Sequence, residues 1–388
     1  MTEKLDGRDL RMLIQRVFTP GPADRGLAII VDLPDEKLPD NPDWRTRRQL
    51  AAEWARLLSD QRAALGLEKI SLVWYRNCGS NNADLPETCV PGSFDSLLES
   101  AAALRGQPHV SFAEIFAAHS LILAPTELSA TAPLKVAARD QAFRAATMPG
   151  FLPAMIPALK IDYTEVNRRV DILKDLCDLA QSARVVLRSA AGQHELLLDL
   201  RHRTAHASGG LFPINGEAGN LPSGEAYIVP YEGEIAGDPS RSAGVLPVQL
   251  EGEVVLYKIA GNRAIAVQSQ GPQSESERQC LSQEPAYANL AELGLGVLGD
   301  FGLKPAGSIL LDEKLGLHIA FGRSDHFGGS VGPADFSCPE AVIHLDRVYI
   351  PESQPDIDVV EVRLMGAGLN RRVIQDGQYT DIFAENAT

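Results

Sequence analysis

Five short polar clusters punctuate residues 220–346: N-L-P-S-G-E ending at Glu225, A-E-L-G around Glu292, D-E-K-L-G-L-H over 312–318, D-H-F-G-G from Asp325, and I-H-L-D ending at Asp346. Each carries a carboxylate or imidazole flanked by apolar or glycine residues. Hard and borderline divalent cations take carboxylate oxygens and neutral imidazole nitrogens. Three or more such ligands from separated strands and turns can hold an ion and leave one position open. The pattern is that of a catalytic metal site.

The clusters differ in what each implies alone. Pro222 and Gly224 set a turn that throws Glu225 out of the backbone path, although a Glu after such a turn is ordinarily solvated. Glu292 lies among Leu290, Ala291, Leu293 and Leu295, and an isolated charge in such company must be paired or bound to a cation. His318 begins an apolar run. His344 and Asp346 are two apart in a strand-like stretch and so share a face, either converging on a metal or hydrogen-bonded to each other. Asp312 and Glu313 alone read as a charged turn. His109, His119, His194, His202 and His206 lie outside the clusters, and the i, i+4 spacing of His202 and His206 lacks the H-E-x-x-H context of a helical metal pair.

The elements that must position these residues fall into two textures. Residues 26–33, 70–75 and 120–125 read as buried strands alternating with amphipathic helices, one through Leu50, Trp54, Leu57, Leu58 and Leu65, another through Val166, Val170, Leu173, Cys177 and Ala180. This predicts an α/β N-terminal domain over 1–195. From about Leu196 onward, short Val, Ile, Leu and Tyr runs separated by Gly, Pro, Asp and Ser predict a β-rich α+β C-terminal domain over 196–388. Its expected strands include 227–230, 245–250, 253–259, 308–311, 318–321, 341–345 and 359–364, with a helix near 274–293.

The 388 residues carry 51 acidic and 36 basic side chains, a formal charge of -15, with no basic tract. Such a surface repels phosphate backbones and anionic lipids, so neither nucleic acid nor membrane is an expected partner. No apolar run is long enough to span a bilayer, and no export signal opens the sequence, so a cytoplasmic location is expected. The five cysteines are scattered, without C-x-x-C, which argues against both a disulfide framework and a thiolate zinc site. No G-x-G-x-x-G or P-loop motif supports a nucleotide site.

The succession N-L-P-S-G-E, N-L-A-E-L-G-L-G, L-L-D-E-K-L-G-L-H-I-A-F-G and I-H-L-D, preceded by A-T-M-P-G-F at 146–151 and by Asp162-Tyr163, resembles the M29 metallopeptidase superfamily, the thermophilic-type aminopeptidases. The likeness runs from about residue 140 to about residue 350. It implies a homodimer that binds two divalent ions (Zn, Co, Mn or Mg) between an α/β N-terminal and a β-rich C-terminal domain and releases N-terminal amino acids. Carried over by position, it implies Glu225, Glu292, Glu313, His318, His344 and Asp346 as metal ligands. Two departures stand out. The family's peptidases place a Tyr several residues after the strand histidine, where this chain reads R-S-D-H-F-G-G, and Leu317 is not the usual small or hydroxylated residue. The role of that Tyr, polarising the intermediate, would pass to His326 or Asp325.

The superfamily also has an iron-dependent ring-cleaving branch similar to 2,5-dihydroxypyridine dioxygenase, to which F-G-G and V-L-R-S-A-A-G at 186–192 are closer. That branch implies a mononuclear Fe(II) site of two histidines and one carboxylate. There the position of Glu292 is a histidine and Glu225 is not retained. With both carboxylates present here, the expected function is a dinuclear-metal hydrolase of peptide or amide bonds near a free amino terminus. Glu292 and His326 are its catalytic candidates, and Glu225 and Glu292 its bridging or proton-handling carboxylates. The alternative is the Fe(II) dioxygenase, and a third reading is a binding protein derived from a hydrolase.

Overall fold

The structure is a computed structural model, and it describes residues 3–384. The helices are α1 (Gly7–Phe18), α2 (Pro42–Gln61), α3 (Phe112–Ala118), α4 (Thr131–Gln141), α5 (Tyr163–Leu179), α6 (Pro272–Gln283) and α7 (Ile309–Asp312). The first ten strands are β1 (Gly26–Leu33), β2 (Lys69–Arg76), β3 (Thr88–Gly92), β4 (Val110–Ser111), β5 (Leu121–Ala124), β6 (Arg144–Thr147), β7 (Ser182–Ser189), β8 (Gly192–Asp199), β9 (His206–Ser208) and β10 (Ala218–Asn220). The rest are β11 (Glu225–Ile228), β12 (Ala243–Leu250), β13 (Glu253–Ala260), β14 (Arg263–Val267), β15 (Leu290–Gly296), β16 (Leu317–Gly322), β17 (His344–Val348), β18 (Asp358–Gly366), β19 (Leu369–Gln375) and β20 (Gln378–Tyr379).

The described residues form two compact units. The first takes the chain up to Asn167, with Ser208–Ser223 and Ala306–Leu311. Its sheet runs β10-β6-β5-β1-β2-β3-β4, with β1 parallel to β2 and β5, and β6 parallel to β5 and β10. Every residue of β1 is buried. That explains its apolar run from Leu27 to Val31, since a central parallel strand has no wet face. Asn41 caps α2 at the Trp44 amide, and Trp44, Trp54, Ala55 and Leu58 are buried.

The second unit takes Arg168–Ala207, Gly224–Pro305 and the chain from Asp312. It is β-rich, with an eight-stranded sheet ordered β14-β13-β12-β8-β7-β18-β19-β20 and a five-stranded sheet ordered β17-β16-β15-β11-β9. The units are not consecutive halves of the chain. β7, which precedes residue 195, pairs antiparallel with β8 and β18, so its hydrogen bonds lie in the eight-stranded sheet.

The strand expected at 341–345 begins only at His344, after a turn at Pro339–Ala341, and two further elements differ in kind. The helix near 274–293 ends at Gln283, Pro285 follows, and Leu290–Gly296 is a strand buried along its whole length. The strand expected at 308–311 is instead the single turn α7, with Leu310 and Leu311 buried and Ile309 exposed. A four-residue apolar run fits a buried helical turn as well as a strand, so its period does not choose between them. No described helix is long and apolar enough to cross a membrane.

Candidate metal centre

The site is built on the five-stranded sheet, and β15 is its centre. Its sequence L-A-E-L-G-L-G alternates so that Glu292, Gly294 and Gly296 share one face. Antiparallel β16 sets His318 opposite Gly294 and Ala320 opposite Glu292. On its far side β17 sets Asp346 opposite Ala320 and His344 opposite Gly322. On the other flank of β15, β11 sets Glu225 opposite Gly296 and Tyr227 opposite Gly294.

The two glycines are clearings for side chains arriving from the neighbours. A Cβ on Gly294 would fall 1.8 Å from His318 Nε2, and one on Gly296 would fall 2.3 Å from the carbonyl carbon of Lys314. One carboxylate followed by two bare positions therefore lets an imidazole and a turn lie directly on the strand.

Glu292 joins the two histidines. Its Oε1 is 3.1 Å from His318 Nε2, and its Oε2 is 3.3 Å from His344 Nε2. His344 Nε2 is also 3.4 Å from Asp346 Oδ1, and His318 Nε2 is 3.5 Å from Glu225 Oε2. Two donor trios result, Glu225–Glu292–His318 and Glu292–His344–Asp346, each with one ligand atom per residue and all atoms within 4.8 Å of one another. Five of the six expected ligands are thus brought together. Glu313, the sixth, belongs to neither trio: its Oε1 is held by Lys314 Nζ.

Lys314 is absent from the sequence expectations as a site residue. It is buried, and its ammonium lies 2.7 Å from Glu225 Oε1 while also contacting Glu313. The only signal was its setting, an E-K pair closed in by Leu311 and Leu315.

The D-H-F-G-G segment forms a short turn beside His344. The His326 ring centroid is 5.3 Å and the Phe327 centroid 5.4 Å from that of His344, each edge-on. Phe327 also meets Tyr227 at 4.9 Å, and Tyr227 stacks on His206 at 5.1 Å. Asp325 is ion-paired with Arg323. Glu232 holds the segment from beneath. Its Oε1 accepts from Ser324 Oγ at 2.5 Å and Asn289 Nδ2 at 2.7 Å, and its Oε2 accepts from the Ser330 amide at 2.5 Å. His202 and His206 do not form a pair: the first contacts Asp238 and the second the Phe327 carbonyl.

Burial and mutual charge set the electrostatics. Burial works to raise Glu292, but hydrogen bonds from His318 and His344 outweigh it and hold the carboxyl well below its ordinary range. Burial works to lower His318, but its hydrogen bond to Glu292 and the charge of Glu225 push it up to about 10. His344 is likewise raised against burial, by Asp346 and Glu292. Burial pushes Glu313 up to about 8 despite Lys314. His326 goes the other way, lowered by burial and by neighbouring His344 to about 4.

The donor set fits divalent cations. His344 Nδ1 donates to the Arg323 carbonyl at 2.7 Å, and His318 Nδ1 faces the Gly316 carbonyl at 3.4 Å. A neutral imidazole so held turns its Nε2 lone pair into the cluster. Glu225 Oε2 is buried without a hydrogen-bond partner. With neutral imidazoles, four carboxylates face a single ammonium, and the protons that the imidazoles attract are the ones a metal would release.

The sequence matches no family model and no curated protein. Two solved structures are similar in fold over nearly their whole length. One is 2,5-dihydroxypyridine dioxygenase from Pseudomonas putida KT2440, with TM-score 0.60 and 15% identity over 97% of this chain and 98% of that one. The other is AmpT from Thermus thermophilus, with TM-score 0.55 and 15% identity over 96% of this chain and 99% of that one. They correspond to the two branches named by the resemblance, the ring-cleaving dioxygenases and the M29 peptidases. What the likeness establishes is the shared fold.

Proposed function

We propose that the chain is a metal-dependent hydrolase of peptide or amide bonds, aminopeptidase-like, in which Glu292 would serve as a ligand on the side of each of two divalent ions. The observation that carries this reading is that Glu292 stands in both donor trios, one oxygen toward His318 and the other toward His344. A carboxylate with two occupied sides suits two adjacent cations better than one. Glu225 and His318 would hold one ion, and His344 and Asp346 the other, with Glu313 close to the first. Bound divalent ions supply Lewis acidity and a water of lowered pKa.

The chain's own residues do the rest. The backbone carbonyls of Arg323 and Gly316 fix the tautomers of His344 and His318. Glu292 and Glu225 keep negative charge at the centre. His326, outside both trios and partly open to solvent, is the group we assign to proton transfer with the leaving amine.

The second reading is a mononuclear Fe(II) dioxygenase of a dihydroxylated aromatic or pyridine compound. His318, His344 and Glu292, with their contacts at 3.1 and 3.3 Å, supply the two-histidine, one-carboxylate set such a site uses. Metal stoichiometry and substrate decide between them. The hydrolase reading expects about two divalent ions per chain and release of amine from aminoacyl anilides, with Glu292→Gln at least about 100-fold slower. Full hydrolysis after exhaustive chelation would overturn it. One iron per chain with oxygen uptake on a dihydroxylated ring would establish the alternative.

A further inference from the structure

Tyr227 is the residue of the cluster that the proposed chemistry has not yet used. It stands two residues after Glu225, on the same face of β11, opposite the bare Gly294 over which the His318 imidazole lies. Its ring is fixed on both sides, stacked on His206 at 5.1 Å and edge-on to Phe327 at 4.9 Å. Across the bare Gly294 it lies in the same cross-strand row as His318, and Phe327 packs against both its ring and that of His344.

The hydroxyl differs from most of its kind in this protein. Tyr163, Tyr231, Tyr257, Tyr287, Tyr349 and Tyr379 each donate theirs to a protein oxygen. Among the described residues, no protein hydrogen bond is formed by the Tyr227 hydroxyl, and the residue is half-buried with its oxygen not sealed from solvent. The ring is clamped and the polar end is left free for a ligand.

We propose that Tyr227 donates its O–H to the oxygen that gains charge during amide hydrolysis. This rests on the hydrolase reading and names a residue of that same site. As the water oxygen bonds to the carbonyl carbon, the C=O electron pair moves onto oxygen and accepts a hydrogen bond from the phenol. The phenol keeps its proton. The proton the water gives up passes to His326; when the carbonyl re-forms, the C–N bond breaks, His326 returns that proton to the departing amine, and the hydrogen bond relaxes. A neutral donor aimed at developing charge stabilises the transition state more than the bound substrate.

The test compares zinc-loaded wild type and Tyr227→Phe, which retains the ring and its two aromatic contacts. Hydrolysis of leucine p-nitroanilide is measured together with calorimetric binding of the aminophosphonic acid analogue of leucine, whose tetrahedral oxyanion mimics the developing charge. We expect kcat to fall about 100-fold with KM changed less than about threefold, phosphonate affinity to fall at least about tenfold, and zinc content to stay the same. A variant that keeps kcat and phosphonate affinity within about twofold overturns the proposal, as does a wild type that does not bind the phosphonate. If wild type cleaves no anilide, the hydrolase reading fails and the proposal with it; a wild type that hydrolyses the anilide while Tyr227→Phe matches it overturns the proposal alone.

Discussion

His318 lies across Gly294: a single methyl group at position 294 would sit 1.8 Å from the imidazole Nε2. The imidazole reaches Glu292 only because the neighbouring strand presents no side chain there. Gly294→Ala should therefore push His318 out of the first trio. Overpacking of this kind costs about 1–3 kcal/mol, and metal affinity should fall at least about tenfold. Thermal melts and calorimetric metal titration separate the two effects, and wild-type metal affinity would count against the geometry.

Lys314 is the only ammonium in contact with Glu225 and Glu313 among the described residues. Lys314→Met removes it and leaves buried carboxylates uncompensated, which should destabilise the metal-free protein by about 3–5 kcal/mol. Added zinc should restore more stability to the variant than to wild type, because the ion supplies the missing charge. Denaturant unfolding with and without metal measures both numbers.

The chelated protein should lose stability as pH rises from about 6.5 to about 10. His318 is raised in the folded state to about 10, so its contribution is complete below its unfolded value and fades as pH climbs through the folded one. His344, also raised, acts in the same direction. Glu313, raised to about 8, binds its proton more tightly folded than unfolded and adds to the decline. The depressed carboxyls of Glu292 and Asp346 contribute above their unfolded values and lose that contribution only in acid. Melting temperatures of metal-free protein across this range should descend, whereas metal affinity should climb as the imidazole protons leave. A flat or rising profile for the chelated protein would contradict the assignment.

Glu232→Gln should loosen the turn that carries His326 and Phe327. One amide nitrogen would replace either Oε1, which accepts from Ser324 and Asn289, or Oε2, which accepts from Ser330 and pairs with Arg203. We expect a cost of about 1–3 kcal/mol and faster hydrogen exchange at residues 324–331. Metal content should stay near wild type, since no candidate ligand contacts Glu232. Unchanged exchange at that turn would show that Glu232 does not secure it.

Much of the centre was legible in the sequence because charge in apolar company has few explanations. Glu292 between Ala291 and Leu293, and the H-x-D spacing of His344 and Asp346, both led to residues that meet in space. The β-rich second unit followed from its turn punctuation. What stayed hidden depends on packing from distant segments. Lys314 reads as a wet turn residue until the turn is laid on Gly296, and Tyr227 reads as an ordinary strand residue until His206 and Phe327 close on it. Glu313 kept its expected neighbourhood, but the adjacent lysine occupies its carboxylate. The membership of β7 was hidden for the same reason, since its partner β18 lies far along the chain.

The ammonium of Lys314 gives the polypeptide a resident counter-ion. Part of the charge that Glu225 and Glu313 would otherwise set against one another is thus met from within the polypeptide.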